Sequence, residues 1–507
     1  MLNHLALIII EHLSRVVIVS LVFYQSLFQI HIYSNMGEQQ EETNATWRVE
    51  KGRLHRKRVK TFPNGNVYNC EFVGDKPDGY GTFTSQGMKY EGNFLNGLFH
   101  GAAKIVWTDE SNRIVKTFKG EFKCGQRFGY GVLSDDREKW EGNFANDKFH
   151  GEGTLWKKDG DRLKGEWKNG KFQCKDGLIV FRNGDKYEGP VHHGQLHGGV
   201  GHYSYRDGGS YTGHYSYNVP NGIGTRTFVD GTTFRGDFRN GKFHGHGIMT
   251  YENGLGHKKQ YNGDWIDGMF DGCGELCFQK SSHVDFYKGG FKSGKFHTQG
   301  HLQYRDGSFY EGEFYEGHRK GRGKRMWTKG NWFEGNWERD SMISGRYFDA
   351  FANSTYVGTF EQNKKHGSGE ETWRSQANIP FRDLTFGWSH AVDGVCKYDG
   401  DYHGGYFDGQ GRFEVPDGRY YDGVWRLGKP HGTGTMHLLR KIEYRDASRM
   451  NIGKFGSLYR PNKFSGEWRN GKRHGQGKLF FLDGSSKEVV YNYGTIIVQK
   501  NDEVTSN

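Results

Sequence analysis

Apolar and polar positions along most of the chain alternate with a period of two, broken every few residues by glycine. In the segment YEGNF, Tyr90, Gly92 and Phe94 fall on one face of an extended strand, and Glu91 and Asn93 on the other. Asn96-Gly97 follows, a pair that supplies the positive φ a tight hairpin turn requires. The next strand runs back through glycines spaced two apart, such as Gly151 and Gly153 in a later copy, where absent side chains are expected to leave room for a neighbour's aromatic ring. A second turn, Asp159-Gly160 or Asp306-Gly307, leads to the next hairpin. The predicted elements of this pattern are paired strands.

The same phrase recurs. Segments 90–101 (YEGNFLNGLFHG), 140–151 (WEGNFANDKFHG), 234–245 (FRGDFRNGKFHG) and 464–475 (FSGEWRNGKRHG) are variants of one unit. Its opening aromatic restarts near Tyr68, Tyr90, Phe118, Trp140, Leu163 (a leucine in this copy), Tyr187, Tyr211 and Phe234, then Tyr261, Tyr287, Tyr310, Phe333, Tyr356, Tyr398, Tyr421 and Phe464. The third-position glycine is Gly92, Gly142, Gly236, Gly312 or Gly466 in representative copies, with Cys70 as the one exception. A residue type required in nearly every copy points to a structural role.

These units resemble the MORN family, whose repeat reads Y-E-G-x-F/W-x-N-G-x-x-H-G-x-G followed by a short strand and a D-G or N-G turn. The resemblance implies an all-β, elongated, solenoid-like single sheet of about sixteen consecutive hairpins. Because no hairpin buries its aromatics alone, neighbours must stack into one sheet. At about 4.8 Å per strand, that predicts a twisted rod roughly 150 Å long, with open strand edges at its ends through which homodimers can form. The chain divides into 1–35 (apolar), 36–67 (polar, basic linker), 68–373 (repeats 1–13), 374–397 (insertion), 398–436 (repeats 14–15), 437–463 (basic insertion), 464–487 (repeat 16) and 488–507 (tail). Copies at Leu163, with Gln173 and Cys174 at the HG position, and at Phe333, which reads SMISGRYF over 341–348, are expected weak links.

Composition agrees with this architecture. Gly is 78 of 507 residues and Pro only 8, which excludes collagen and Pro-rich linkers, while aromatics at 16% supply the burial that scarce aliphatics cannot. Six cysteines, Cys70, Cys124, Cys174, Cys273, Cys277 and Cys396, are too scattered for a disulfide framework and read as reduced thiols. Histidines at the HG position (His100, His150, His197, His244, His297, His366, His431 and His474) lack a recurring second ligand, so they are expected to hydrogen-bond within the sheet rather than bind metal.

The net charge of +11 favours anionic partners. Basic residues concentrate at 48–60, in HRKGRGKR at 318–325, and at 437–463. Arg319, Lys320, Arg322, Lys324, Arg325, Arg440, Lys441, Arg445 and Arg449 are therefore candidate contacts to anionic phospholipid or a protein partner. No nucleic-acid fold accompanies the charge, and nucleic acid is not an expected partner.

No Walker loop, HExxH, GxSxG or kinase signature is present, so no enzyme activity, catalytic residue, cofactor or metal is expected. The apolar run at 5–33 is a membrane anchor, a targeting peptide, or an extension preceding a start at Met36. Resemblance to radial spoke head and cytoskeletal MORN proteins implies a cytoplasmic scaffold in a cytoskeletal or ciliary structure, with axonemal or other protein partners. The alternatives are a junctophilin-like membrane tether, in which 5–33 is the anchor, and an accessory regulator of a separate lipid kinase or exchange factor.

Overall fold

The computed structural model describes residues 43–50, 53–253, 257–374, 394–438 and 461–499. All regular structure among them is β-strand, and strands pair antiparallel with their sequence neighbours. The apolar segment 5–33, most of the insertion 374–397 and of the basic insertion 437–463, and the last residues of the tail lie outside the described residues. No helix among the described residues is long and apolar enough to cross a membrane. Two compact units, Met1–Arg206 and Asp207–Asn507, repeat the same local design.

Each copy is a hairpin whose first strand alternates as its sequence predicts. In Met88–Leu95 the buried positions are Tyr90, Gly92 and Phe94. The opening rings are sealed: Tyr90, Trp140, Phe234, Tyr310 and Phe464 are all 0% exposed, although no second layer of described strands covers them. The burial comes from the copy itself and from the following hairpin. Trp140 lies flat against the return strand, where a Cβ on Gly153 would sit 2.1 Å from the indole, and its other side stacks on Phe149 at 4.2 Å. Phe144 and Trp167, the latter from the following hairpin, meet it edge-on at 6.2 and 5.0 Å. Full burial of such a ring contributes about 2–3 kcal/mol, and each edge-on pair about 0.5–1.5 kcal/mol more.

The third-position glycines form cross-strand pairs with glycines of both neighbours. Gly142 faces Gly131 and Gly153, Gly236 faces Gly224 and Gly247, and Gly312 faces Gly300 and Gly323. Some pairs keep one glycine against a side chain, as in Cys70–Gly81, Gly92–Ala103 and Gly477–Val489, and the row ends where Cys70 faces Arg58 and Val489 faces Gln499. A glycine row thus runs across the strands of each unit and sets how closely backbone and ring approach.

The turns follow two rules. From the Tyr90 copy onward both residues of the first turn have positive φ, as with Asn96 (49°) and Gly97 (86°), including copies where the first is Cys124, His193, Glu316 or Leu427. The second turn residue then donates its N–H to the preceding hairpin: Gly97 to Pro77 O at 2.8 Å, Gly125 to Phe99 O at 2.9 Å, Gly317 to Phe296 O at 2.9 Å. Gly405 makes this bond to Lys365 O and Gly471 to Pro430 O, so copies on either side of both insertions meet as ordinary neighbours. Arg374 pairs with Val395 and His437 with Lys463, so the strands flanking each insertion keep the pairing of an ordinary second turn.

Several expectations change. The glycine of HG, such as Gly151, makes no room for a ring. It is a left-handed residue (φ 64°) at a bulge between Phe149 and Gly153, beside the Asn143 side chain. Thr298 holds the same position at φ 56°, a conformation costly for a β-branched residue. The Phe333 copy keeps its register, because Gly345 pairs with Gly335 and buried Met342 replaces the usual phenylalanine. The Leu163 copy is interrupted between Lys171–Phe172 and Cys174–Val180, and the Tyr187 copy between Gln195–Leu196 and Gly199–Ser204. Pairing also outruns the aromatic phrase. Thr43–Glu50 and Arg53–Thr61 form a hairpin inside the stretch read as a linker (36–67), and Ser486–Asn492 with Thr495–Gln499 forms one that starts at the end of repeat 16 and runs into the tail (488–507). A strand can add to an open edge through backbone bonds without that phrase.

Candidate interaction surfaces

The HG-position side chain, and in the tyrosine copies the opening hydroxyl, add to the joints between hairpins. Tyrosine openers donate to the carbonyl three residues on, at the bulge: Tyr261 to Asp264 O at 2.9 Å, Tyr310 to Glu313 O at 3.0 Å, Tyr421 to Val424 O at 3.0 Å. Burial pushes the Tyr68 and Tyr187 phenols up to about 12. The HG-position side chain faces the first turn residue of the following hairpin. Where it is aspartate the bond is short, from Asn96 N to Asp78 Oδ2 (3.2 Å), Ser293 N to Asp271 Oδ2 (3.1 Å) and Leu427 N to Asp408 Oδ2 (3.0 Å). Where it is histidine the contact is long, from Asp267 N to His244 Nδ1 (3.5 Å) and Tyr493 N to His474 Nδ1 (3.4 Å). His100, His150, His297 and His431 keep a buried Nδ1 with no hydrogen-bond partner. The expectation of hydrogen bonding at every histidine is therefore corrected: imidazole fills the place of a turn-capping carboxylate with poorer reach. No group of three or more His, Cys, Asp or Glu among the described residues is arranged to hold a metal.

The stretch 318–325 does not form one basic cluster. Its residues alternate between faces, and two of the five candidates lie on the aromatic side. Arg319 replaces the usual phenylalanine, lies 4.6 Å over Trp337, and donates through Nε to Asp340 Oδ1 at 3.0 Å. Burial alone would raise the Asp340 carboxyl, but hydrogen bonds from His318 and Arg319 win and hold it below the usual carboxylate range. Arg325 is buried at the position leucine or isoleucine takes elsewhere, 3.9 Å over Tyr304 and bonded to Ser308 Oγ at 3.2 Å; desolvation lowers its pKa. Lys320, Arg322 and Lys324 face the other way. Lys320 pairs with Glu338 at 3.7 Å, and the Arg322 backbone N–H donates to Glu313 at 2.9 Å. Lys324 stands between Glu311 and Glu334 on the adjacent strands. Arg440, Lys441, Arg445 and Arg449 lie outside the described residues.

The structure adds functional-looking groups that sequence reasoning passed over. Arg127 and Arg473 also replace the phenylalanine, over Phe144 and Phe464, and Arg127 pairs with Asp147 at 3.1 Å. In the Tyr356 copy Lys365 takes that position and Glu371 the leucine position. Buried Glu371 receives the Lys365 ammonium, the Ser354 hydroxyl at 2.9 Å and the Tyr402 hydroxyl at 3.1 Å. Burial first, then Glu371, drives the Tyr402 phenol far up. The signal was legible in KKHGSGEETW, where a cation and an anion enter core positions of one copy together. All six cysteines are free thiols, and burial pushes Cys70 up to about 12.

The model of the MORN repeat matches residues 71–87, 90–111, 118–136, 140–162, 164–173, 211–233, 234–256, 261–282, 287–309, 310–332, 356–377, 398–418, 421–438 and 464–486. The copies opening at Tyr187 and Phe333 are not matched, although both build paired hairpins. A search of curated proteins finds no match. MORN repeats form scaffold arrays that are generally non-catalytic. With fourteen in-phase matches over more than half its length, each on a hairpin, the chain belongs to the MORN-repeat family.

Proposed function

We propose that the protein is a non-catalytic scaffold that organises other proteins, in a cytoskeletal or ciliary setting, with no cofactor or metal of its own. The observation that carries this reading is how the repeat spends its residues. Openers, paired glycines, bulge glycines and turn caps are consumed by the hairpin and its joints, while the positions facing away from the rings differ from copy to copy. The middle residue of the G-x-G element, for example, is Tyr80, Glu152, Cys273, Arg322 and Gln410 in five copies. A rigid repeating frame with variable outward chemistry suits display to several partners. The setting rests on the family resemblance alone, as do the membrane-tether and accessory-regulator alternatives.

Anionic phospholipid is the weaker partner on the described surface, because Lys320 pairs with Glu338, Lys324 stands between Glu311 and Glu334 on adjacent strands, and Arg319 and Arg325 face the rings. Proximity labelling by the full chain in cells that express it, with fractionation after detergent extraction, tests the reading. A set of labelled proteins that stays with the chain in the detergent-insoluble fraction is the expected result. Release of the whole chain by detergent, with labelling of membrane proteins only, would replace it with the tether.

A further inference from the structure

On the face away from the rings, one cross-strand row in Asp207–Asn507 departs from the polar pattern. It runs through Cys277, Phe286, Gln303, Phe309, Met326, Trp332 and Phe348, each paired with the next across consecutive strands. These apolar side chains are half-buried by one another and by their neighbours. His301 is stacked between Phe286 and Phe309, with centroids at 5.7 and 5.4 Å, and Trp332 stacks on Phe348 at 6.0 Å. Phe351, 81% exposed, follows Phe348 in the loop at the end of the stripe. Beyond Phe348 the row turns polar, through Thr355 and Thr372.

Beside the stripe, two residues along each strand, runs a second row with alternating charge, interrupted by His301: Glu275, Lys288, His301, Glu311, Lys324, Glu334 and Arg346. The Lys288–Glu275 pair closes at 3.6 Å, and Lys324 lies 5.8 Å over Trp332. The three carboxylates and three cations cancel. A uniformly anionic bilayer gains no net attraction from such a ladder, whereas a protein segment with charges of both signs does.

We infer that this stripe and its charge ladder seat an amphipathic α-helix of a partner protein. The dimensions fit. Six strand intervals at about 4.8 Å span about 29 Å, the length of a helix of about 19 residues. A helix turn of about 5.4 Å lies close to one strand interval, so apolar residues at i, i+3, i+4 and i+7 can follow the aromatic row. Glu and Lys alternating on the helix flank at i and i+4 would then meet Lys324, Glu334 and Arg346 with opposite sign. The inference rests on the scaffold reading and names one partner class for it.

The test uses the full chain carrying a photo-crosslinking benzoylphenylalanine at Phe309 or, in a second variant, at Trp332, expressed in cells that make the protein. Crosslinked peptides are sequenced, with the same group at Thr225 as the control. The expected result is crosslinks from both stripe positions, and not from Thr225, to segments with apolar residues at helical spacing. A Lys324→Glu, Arg346→Glu variant that retains the parent melting curve should lower their yield about tenfold or more. Crosslinks to lipid, to segments without helical periodicity, or equally from Thr225, or an unchanged yield in the charge variant, would each overturn the inference. If the stripe fails in this way while proximity labelling still recovers a detergent-resistant partner set, only the helix site falls. Loss of that set would remove the scaffold itself.

Discussion

Gly142→Val isolates the feature on which every hairpin depends. A Cβ at Gly142 would stand 2.4 Å from Gly153 Cα, 2.6 Å from Glu152 O and 2.7 Å from the Trp140 indole. Two of these atoms are backbone and cannot rotate away, so Glu138–Ala145 and Lys148–Lys157 must part by about 1 Å, and the indole must slide off Phe149. Overpacking of this kind costs about 1–3 kcal/mol, and losing the Trp140–Phe149 stack adds about 0.5–1.5 kcal/mol. A total of about 2–3 kcal/mol is expected, confined mainly to this hairpin and its neighbours because each copy touches only the adjacent ones. Hydrogen exchange read by mass spectrometry should show faster exchange between about residues 116 and 168, with distant copies unchanged. Glu152→Val is the control: the same side chain on the return strand, pointing to the exposed face, should cost less than about 1 kcal/mol. Equal effects of the two valines, or unaltered exchange around Gly142, would refute the glycine row as a packing element.

Thr298→Gly should raise the melting temperature, since a left-handed threonine costs about 1–2 kcal/mol and the lost bond from its Oγ1 to His297 O returns only part of that; a lower melting temperature would contradict the strain. Tyr261→Phe should cost about 1 kcal/mol through the hydroxyl that binds Asp264 O, measured by denaturant titration, and no loss would remove that bond from the account. Glu371→Leu alone leaves half-buried Lys365 without its carboxylate and should cost about 1–3 kcal/mol, while Lys365→Phe with Glu371→Leu recreates the pattern of other copies and should recover most of it; additive losses in the double-mutant cycle would contradict a coupled pair. The Asp340 carboxyl is held below its unfolded value of about 3.9, so its contribution is complete above about pH 4 and disappears as pH falls through the lowered native value. Asp340→Asn should therefore destabilise the Tyr310 copy at neutral pH and flatten its acid dependence, and an unchanged acid profile would sink the assignment.

What could be read before the structure was the local arithmetic. Alternation placed Tyr90 and Phe94 on the buried face, Asn96-Gly97 announced the turn, and recurrence announced the array. What could not be read was chemistry that depends on the neighbour. Gly151 and Gly153 look alike in G-x-G, yet one is a left-handed bulge and the other the floor under Trp140, a distinction set by register shift rather than residue type. HRKGRGKR looked like a cationic patch because charge was counted along the chain. A strand sends alternate side chains to opposite faces, and the ring face had room for Arg319 and Arg325 above Trp337 and Tyr304. The apolar row from Phe286 to Phe348 was invisible for the converse reason, since its members are scattered in sequence and meet only through pairing.

Excision of one whole copy tests the central claim, that the molecule is an array of interchangeable hairpins held by neighbour-to-neighbour joints. Removing residues 287–309 joins Phe286 to Tyr310 in the same strand register, sets Gly274 opposite Gly312, and offers Phe270 O, now bound by Gly294 N, to the N–H of Gly317. Hydrogen exchange of the shortened chain should show the copies at Tyr261 and Phe333 protected as before, with a melting curve of similar midpoint. Loss of protection throughout Asp207–Asn507 would show a single interdependent core instead, and the repeat-by-repeat account would fall.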